Sequence, residues 1–222
     1  MLKKEIKQKL MQKYEELETS LSPEGYNILL KNSYIAGGAI RDLFRNETPK
    51  DYDVFFTNEE ALNTVKNELL NHKPFNYIPN RPTVTINGNL NFFNGVQIIT
   101  MHTGSPEEIT KNFDFTVNSG YFVPTFDILV FGDLTQELKV NDKILNPMNT
   151  LVRVLQFQEK GYTISKNELV KLGVQLSKME PIDDQKKLKE VLKGISAPIL
   201  FEEPSFDFDD EPNFDLNDEI PF

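Results

Sequence analysis

The sequence predicts an α+β fold built around a small twisted mixed sheet, and three observations carry that prediction. Ser33 to Ala36 is a short apolar run that meets a Gly37-Gly38 turn, then a helical stretch from Ala39 to Arg45 with apolar Ala39, Ile40, Leu43 and Phe44. Asp51-Tyr52-Asp53-Val54-Phe55-Phe56 ends in a hydrophobic run that reads as a core strand. Beyond Phe75 the texture changes to strands separated by Asn-Gly pairs, while amphipathic helices occupy the flanking stretches. At 222 residues and 39% hydrophobic content, the chain holds one good-sized domain with an extension.

In order along the chain, residues 1–21 place Leu2, Ile6, Leu10, Tyr14, Leu17 and Leu21 on one face of a helix. Ser22-Pro23 starts a second helix as cap and first turn. Thr57 or Asn58 caps a third helix through about Leu70, which His72-Lys73-Pro74 ends. Thr83 to Ile86 and Val96 to Met101 read as antiparallel strands, with hairpin signals at Asn87-Gly88 and Asn94-Gly95. Ser105-Pro106-Glu107-Glu108 is a capped helix start, and Phe126 to Phe131 is a last sheet strand. Helices over Leu145 to Tyr162, Lys166 to Met179 and Asp183 to Lys193 follow. The expected organisation is a head over residues 1–145, a helical neck over 146–196 and a disordered tail over 197–222.

Composition excludes several classes. No apolar run approaches the roughly 18 residues that cross a bilayer, and the charged N-terminus has no hydrophobic signal core, so a cytoplasmic protein without membrane contact is expected. Zero cysteines rule out disulfides and thiolate metal sites, and two histidines leave little for zinc, so any metal is oxygen-bound. The net charge of −10 is misleading: residues 202–222 hold nine acids and no basic residue, leaving the body near −1.

The chemistry concentrates in Tyr34 to Phe56. A glycine turn between strand and helix lets the backbone approach a polyphosphate. On a strand, residues i and i+2 share a face, so Asp51 and Asp53 converge. Their mutual repulsion is relieved by a hard divalent cation such as Mg2+.

Gly37-Gly38-x-x-Arg41-Asp42 followed by Asp51-x-Asp53 resembles the signature of class II nucleotidyltransferases, the bacterial-type poly(A) polymerases and CCA-adding enzymes. Asn112-Phe113-Asp114-Phe115-Thr116-Val117-Asn118 resembles that family's RRDFTxN motif, and the stretch from Leu145 to Tyr162 resembles its base-reading helix. The resemblance implies a polymerase-β-like nucleotidyltransferase fold and metal-dependent transfer of an NMP from an NTP. The acceptor it implies is an RNA 3′ end, with another hydroxyl left open. Asp51 and Asp53 would be catalytic and hold Mg2+ or Mn2+. Gly37, Gly38, Arg41, Asp42, Asp114, Asn118 and Arg153 would bind nucleotide, Arg153 nearest the base.

The departures from the family also matter. Gln97 stands where a third carboxylate is usual, Phe113 and His102 replace arginines, and the EDxxR positions read Asn149-Thr150-Leu151-Val152-Arg153. The long tRNA-gripping body has no counterpart, which argues against CCA addition. The rival expectation is a decayed transferase fold that only binds partners. Arg41 and Asp42 can also be read as a plain structural ion pair, and His72 and His102 as surface or packing residues. Phe55, Phe56, Phe92, Phe93, Phe113 and Phe115 read as sheet packing rather than base-stacking platforms.

The tail's end, with Asp218, Glu219, Ile220, Pro221 and Phe222, resembles the tip of bacterial single-stranded-DNA-binding proteins. That resemblance implies docking to replication and repair proteins that bind such tips. A self-inhibitory role, the tail lying in the chain's own nucleic-acid cleft, is the alternative.

Overall fold

Ile6, Leu10, Tyr14 and Leu17 recur at helical spacing and are all buried along one stripe of α1 (Lys3–Glu18). The computed structural model describes residues 2–71, 82–84, 88–92, 94–144 and 146–179. Leu2 does not join the stripe: it precedes the first helical residue as N-cap and is 70% exposed. Ser22 Oγ accepts the Gly25 N–H at 3.0 Å and starts α2 (Pro23–Asn32), which runs directly into β1 (Ser33–Ala36), buried throughout. Then come α3 (Gly38–Phe44) and β2 (Tyr52–Phe56). Asn58, not Thr57, caps α4 (Glu59–Asn71), accepting the Ala61 N–H at 2.9 Å.

The strands β3 (Thr83–Val84), β4 (Leu90–Asn91) and β5 (Val96–Thr103) follow, with Gly95 at φ +81° in the tight turn before β5. The reciprocal capping box of Ser105 and Glu108 opens α5 (Pro106–Thr110) as expected. The last sheet strand is shorter than expected: Pro124–Phe126 forms a 3₁₀ turn, and only Ile128–Val130, β7, is extended, preceded by β6 (Tyr121–Val123). The chain continues through β8 (Glu137–Leu138), α6 (Pro147–Glu159), β9 (Thr163–Ile164) and α7 (Lys166–Leu176).

The main sheet has the order β3-β4-β5-β2-β1-β6-β7, and β8 pairs with β9 separately. The expectation of antiparallel pairing holds for β3–β4 and β4–β5, but β5 also lies parallel to β2. A parallel pair needs a long crossover, which α4 and the segment after it provide. One sheet face, with Ile35, Val54, Phe56, Ile98 and Phe122, is covered by α1 to α4 and forms the main core. The other, with Tyr34, Ala36 and Phe55, meets Ile109 of α5 and Phe113. A separate cluster joins Phe115, Leu138 and Val140 to Val154, Phe157, Tyr162 and Leu172, so its apolar contacts span both sides of residue 145. The expected helix end at His72 to Pro74, Thr85 to Asn87, Phe93, the helix from Asp183 and the whole tail lie outside the described residues.

Candidate functional site

The site begins at Gly37, whose φ of +99° and ψ of −145° suit only glycine. Its N–H donates to the Gly120 carbonyl at 3.0 Å, anchoring the turn to the chain before β6. A Cβ at Gly37 would lie 3.8 Å from Asp53 Oδ2 and equally far from the Phe113 ring. The glycine turn and the strand aspartate therefore share one small space.

Asp53 stands in the sheet between Ala36 on β1 and Gln97 on β5. Burial, and next the negative charge of Asp51, push its carboxyl from the ordinary 3.8 up to about 7, against the opposing pull of Arg153. Asp51 precedes β2 and is exposed, outside the walls of the cleft described below. Among the described residues no three His, Cys, Asp or Glu side chains gather as metal ligands. Asp53, the Gln97 amide beside it in the sheet and nearby Asp51, whose charge acts on Asp53, would offer only oxygen donors, a chemistry that suits a hard divalent cation.

A polar chain runs from α3 into the cleft wall. Arg41, buried, donates from Nε to Asp42 Oδ1 at 2.7 Å and from Nη1 to Asn118 Oδ1 at 2.7 Å. Asn118 Nδ2 donates to Asp114 Oδ1 at 3.0 Å, which also accepts the Phe115 N–H at 2.9 Å. Asp114 Oδ2 lies 2.8 Å from Arg153 Nη1, an ion-pair contact without the alignment of a hydrogen bond. Arg41 also lies over the Phe157 ring, 4.9 Å from its centroid. Arg41 and Asp42 do form the structural pair, and neither lines the cleft.

The cleft, of about 230 Å3, is lined by Gly37, Gly38, Asp53, Asp114, Asn118 and Arg153 among the residues singled out in the sequence. It is also lined by Asn112, Ile144 and Asn146, whose roles the sequence did not signal. Phe55, Phe113, Asn149 and Thr150 complete the lining. Asn146 Oδ1 accepts the Asn149 N–H at 3.0 Å as N-cap of α6, and Thr150 donates its hydroxyl to the Asn146 carbonyl at 3.0 Å. The Asn-Pro step before α6 was the available signal for that cap. His102 is exposed and plays no part in this wall. His72 and the tail tip from Asp218 to Phe222 lie outside the described residues.

Among solved structures, a CCA-adding enzyme in complex with ATP superposes with a TM-score of 0.50 at 17% identity, covering 80% of this chain and 49% of that one. A Thermotoga maritima CCA-adding enzyme complexed with tRNA gives 0.47 at 17% identity, covering 81% and 50%. At such identities the likeness is one of fold, a nucleotidyltransferase-like α+β domain. In sequence, the Gabija anti-defense 2 protein of Bacillus phage SPbetaL7 is 29% identical over 180 residues, which is 76% of this chain and 44% of that protein. The chain thus spans less than half the length of this relative. Residues 1–137 match the family described as Gabija anti-defense 2 family protein, and the chain belongs to that family.

Proposed function

We propose that this chain is a metal-dependent nucleotidyltransferase that moves an NMP from an NTP to an acceptor hydroxyl, and that this transfer is how it counters the Gabija defence in the host cytoplasm. The approach of the Gly37 turn to Asp53 carries the reading, because it sets a close-packing backbone beside a carboxylate in one cleft. Asp51 and Asp53 hold Mg2+ or Mn2+, which when bound offsets their repulsion and draws electron density from the α-phosphate. The Gly37-Gly38 backbone receives the triphosphate. Arg41, Asp42 and Asn118 hold Asp114 in place, and Asp114 in turn restrains Arg153 beside the base. The acceptor oxygen bonds to the α-phosphorus as the bond to pyrophosphate breaks. The resemblance of Gly37-Gly38-x-x-Arg41-Asp42 and Asp51-x-Asp53 to the class II nucleotidyltransferase signature makes an RNA 3′ end the first acceptor to consider.

The test is incubation of the purified chain with each α-labelled NTP, Mg2+ or Mn2+ and bacterial lysate, beside an Asp51→Asn, Asp53→Asn variant. Transfer by the parent and not by the variant is the expected result; equal labelling by both would refute the assignment. A second reading, partner binding without transfer, draws on Gln97 beside Asp53 and on the Asp114–Arg153 pairing, which occupies the base-facing arginine. It predicts that the aspartate variant still protects a phage from Gabija. For the tail, loss of Phe222 is expected to abolish pull-down of proteins that bind single-stranded-DNA-binding-protein tips, and retained pull-down would remove that role.

A further inference from the structure

We propose that α7 positions the nucleotide cleft from outside it, and that Gln175 is the positioning residue through which it does so. This rests on the nucleotidyl-transfer reading and concerns how that cleft keeps its shape. No residue of α7 lines the cleft. Glu168, Lys171 and Gln175 nevertheless recur at i, i+3 and i+7, one face of the helix, and all three bond the strap formed by residues 140–144. Glu168 stands where a capping box would turn it back on Ser165, yet its Oε2 accepts the Val140 N–H at 2.7 Å. Lys171 Nζ donates to the Val140 carbonyl and lies 2.7 Å from Asp142 Oδ1. Gln175 then closes the strap. Its Nε2 donates to the Asn141 carbonyl at 2.9 Å, and its Oε1 accepts the Ile144 N–H at 3.3 Å.

The other side of the strap bonds the cleft wall. The Asn141 N–H donates to the Asp114 carbonyl at 3.0 Å, and Asn141 Nδ2 donates to the Phe113 carbonyl at 2.8 Å. Phe113 and Asp114 line the cleft, and so does Ile144 at the far end of the strap. Gln175 therefore holds two parts of the wall at once: the main chain of Asp114, whose side chain meets Arg153, and Ile144, two residues before the Asn146 cap of α6.

The residue type follows from this geometry. The Asn141 carbonyl needs a donor and the Ile144 N–H an acceptor, and a side-chain amide supplies both. Leucine matches the bulk and offers neither, while glutamate keeps only the acceptor. Attachment of α7 itself is provided by Leu172 and Leu176, which join the apolar cluster around Phe157. The Gly37 turn is anchored separately, by the Gly120 carbonyl, and Asp53 by the pairing of β2 with β1. Loss of the Gln175 amide thus loosens one wall and leaves the turn and the aspartate in place.

The experiment compares the full chain with its Gln175→Leu and Gln175→Glu variants, titrating each with NTPs and Mg2+ or Mn2+ by calorimetry and following amide exchange. Gln175→Leu is expected to weaken binding of the best-bound NTP by about tenfold, the size of two lost main-chain hydrogen bonds. Exchange should quicken at Asn141 and Ile144 and stay unchanged at Gly37, and Gln175→Glu should lose less affinity. Parent-like NTP affinity in the leucine variant, even with faster exchange at Ile144, would overturn the inference, and so would a glutamate variant as weak as the leucine one. Should Gln175→Leu fail to unfold cooperatively, Gln175→Glu carries the test alone: weaker NTP binding supports the inference and parent-like binding overturns it. Absence of metal-dependent NTP binding by the parent chain is the separate result that removes the nucleotidyl-transfer reading.

Discussion

At Gly37 the backbone conformation and the space beside Asp53 make the same demand. Gly37→Ala imposes a φ of +99° on an L side chain, a strain of about 1–3 kcal/mol, and puts a methyl group where a phosphate oxygen would sit. Loss of NTP binding by calorimetry together with a modest drop in thermal midpoint is expected. Asp53 gives a pH signature. Its folded carboxyl titrates near 7 against an ordinary 3.8, so the fold gains from a neutral carboxyl below about pH 4 and loses that gain as pH rises through 7. In EDTA, Asp53→Asn should therefore raise the thermal midpoint at pH 8 and change it little at pH 4, with added Mg2+ narrowing the difference. Gly37, Gly38, Asp53, Asp114 and Arg153 were legible in the sequence because each sits in a short motif. The Arg41–Asn118 bond was not, since those residues are 77 positions apart and meet only through folding.

Among the elements, α6 carries the cleft wall, and Asn146 determines where it starts. Asn146→Ala removes the side-chain cap, which costs about 1 kcal/mol, and lets the first turn fray where Asn149 and Thr150 line the cleft. The expected readout is faster amide exchange at Asn149 and weaker NTP binding with the sheet unaffected. Caps were the most readable features of the sequence: Ser22 and Ser105 follow from local chemistry, whereas the Asn146 cap of α6 was missed although its Asn-Pro step carried the signal. The three-residue β6 and the two-residue β8 and β9 were not readable, because such short strands show no period. The parallel β2–β5 pairing was hidden as well, since it depends on α4 crossing the sheet.

Among the described residues, two cations join the two principal apolar clusters: Arg41 of α3 over Phe157, and Arg45, the C-cap of α3, 4.8 Å from the centroid of the Tyr162 ring. Arg41 springs from α3 in the main core, yet its guanidinium rests on Phe157 of α6, whose ring also meets Phe115 and Tyr162 edge-on. Phe157→Ala should destabilise the chain by about 3–5 kcal/mol, seen as a lower denaturation midpoint in urea. Arg41 Nη2 also comes within 3.3 Å of where a Gly38 side chain would begin. The guanidinium is thus a lever with one arm on the α6 aromatic and the other against the glycine turn. In the proposed transfer, where that turn would receive the triphosphate, a displacement of α6 would reach it through Arg41.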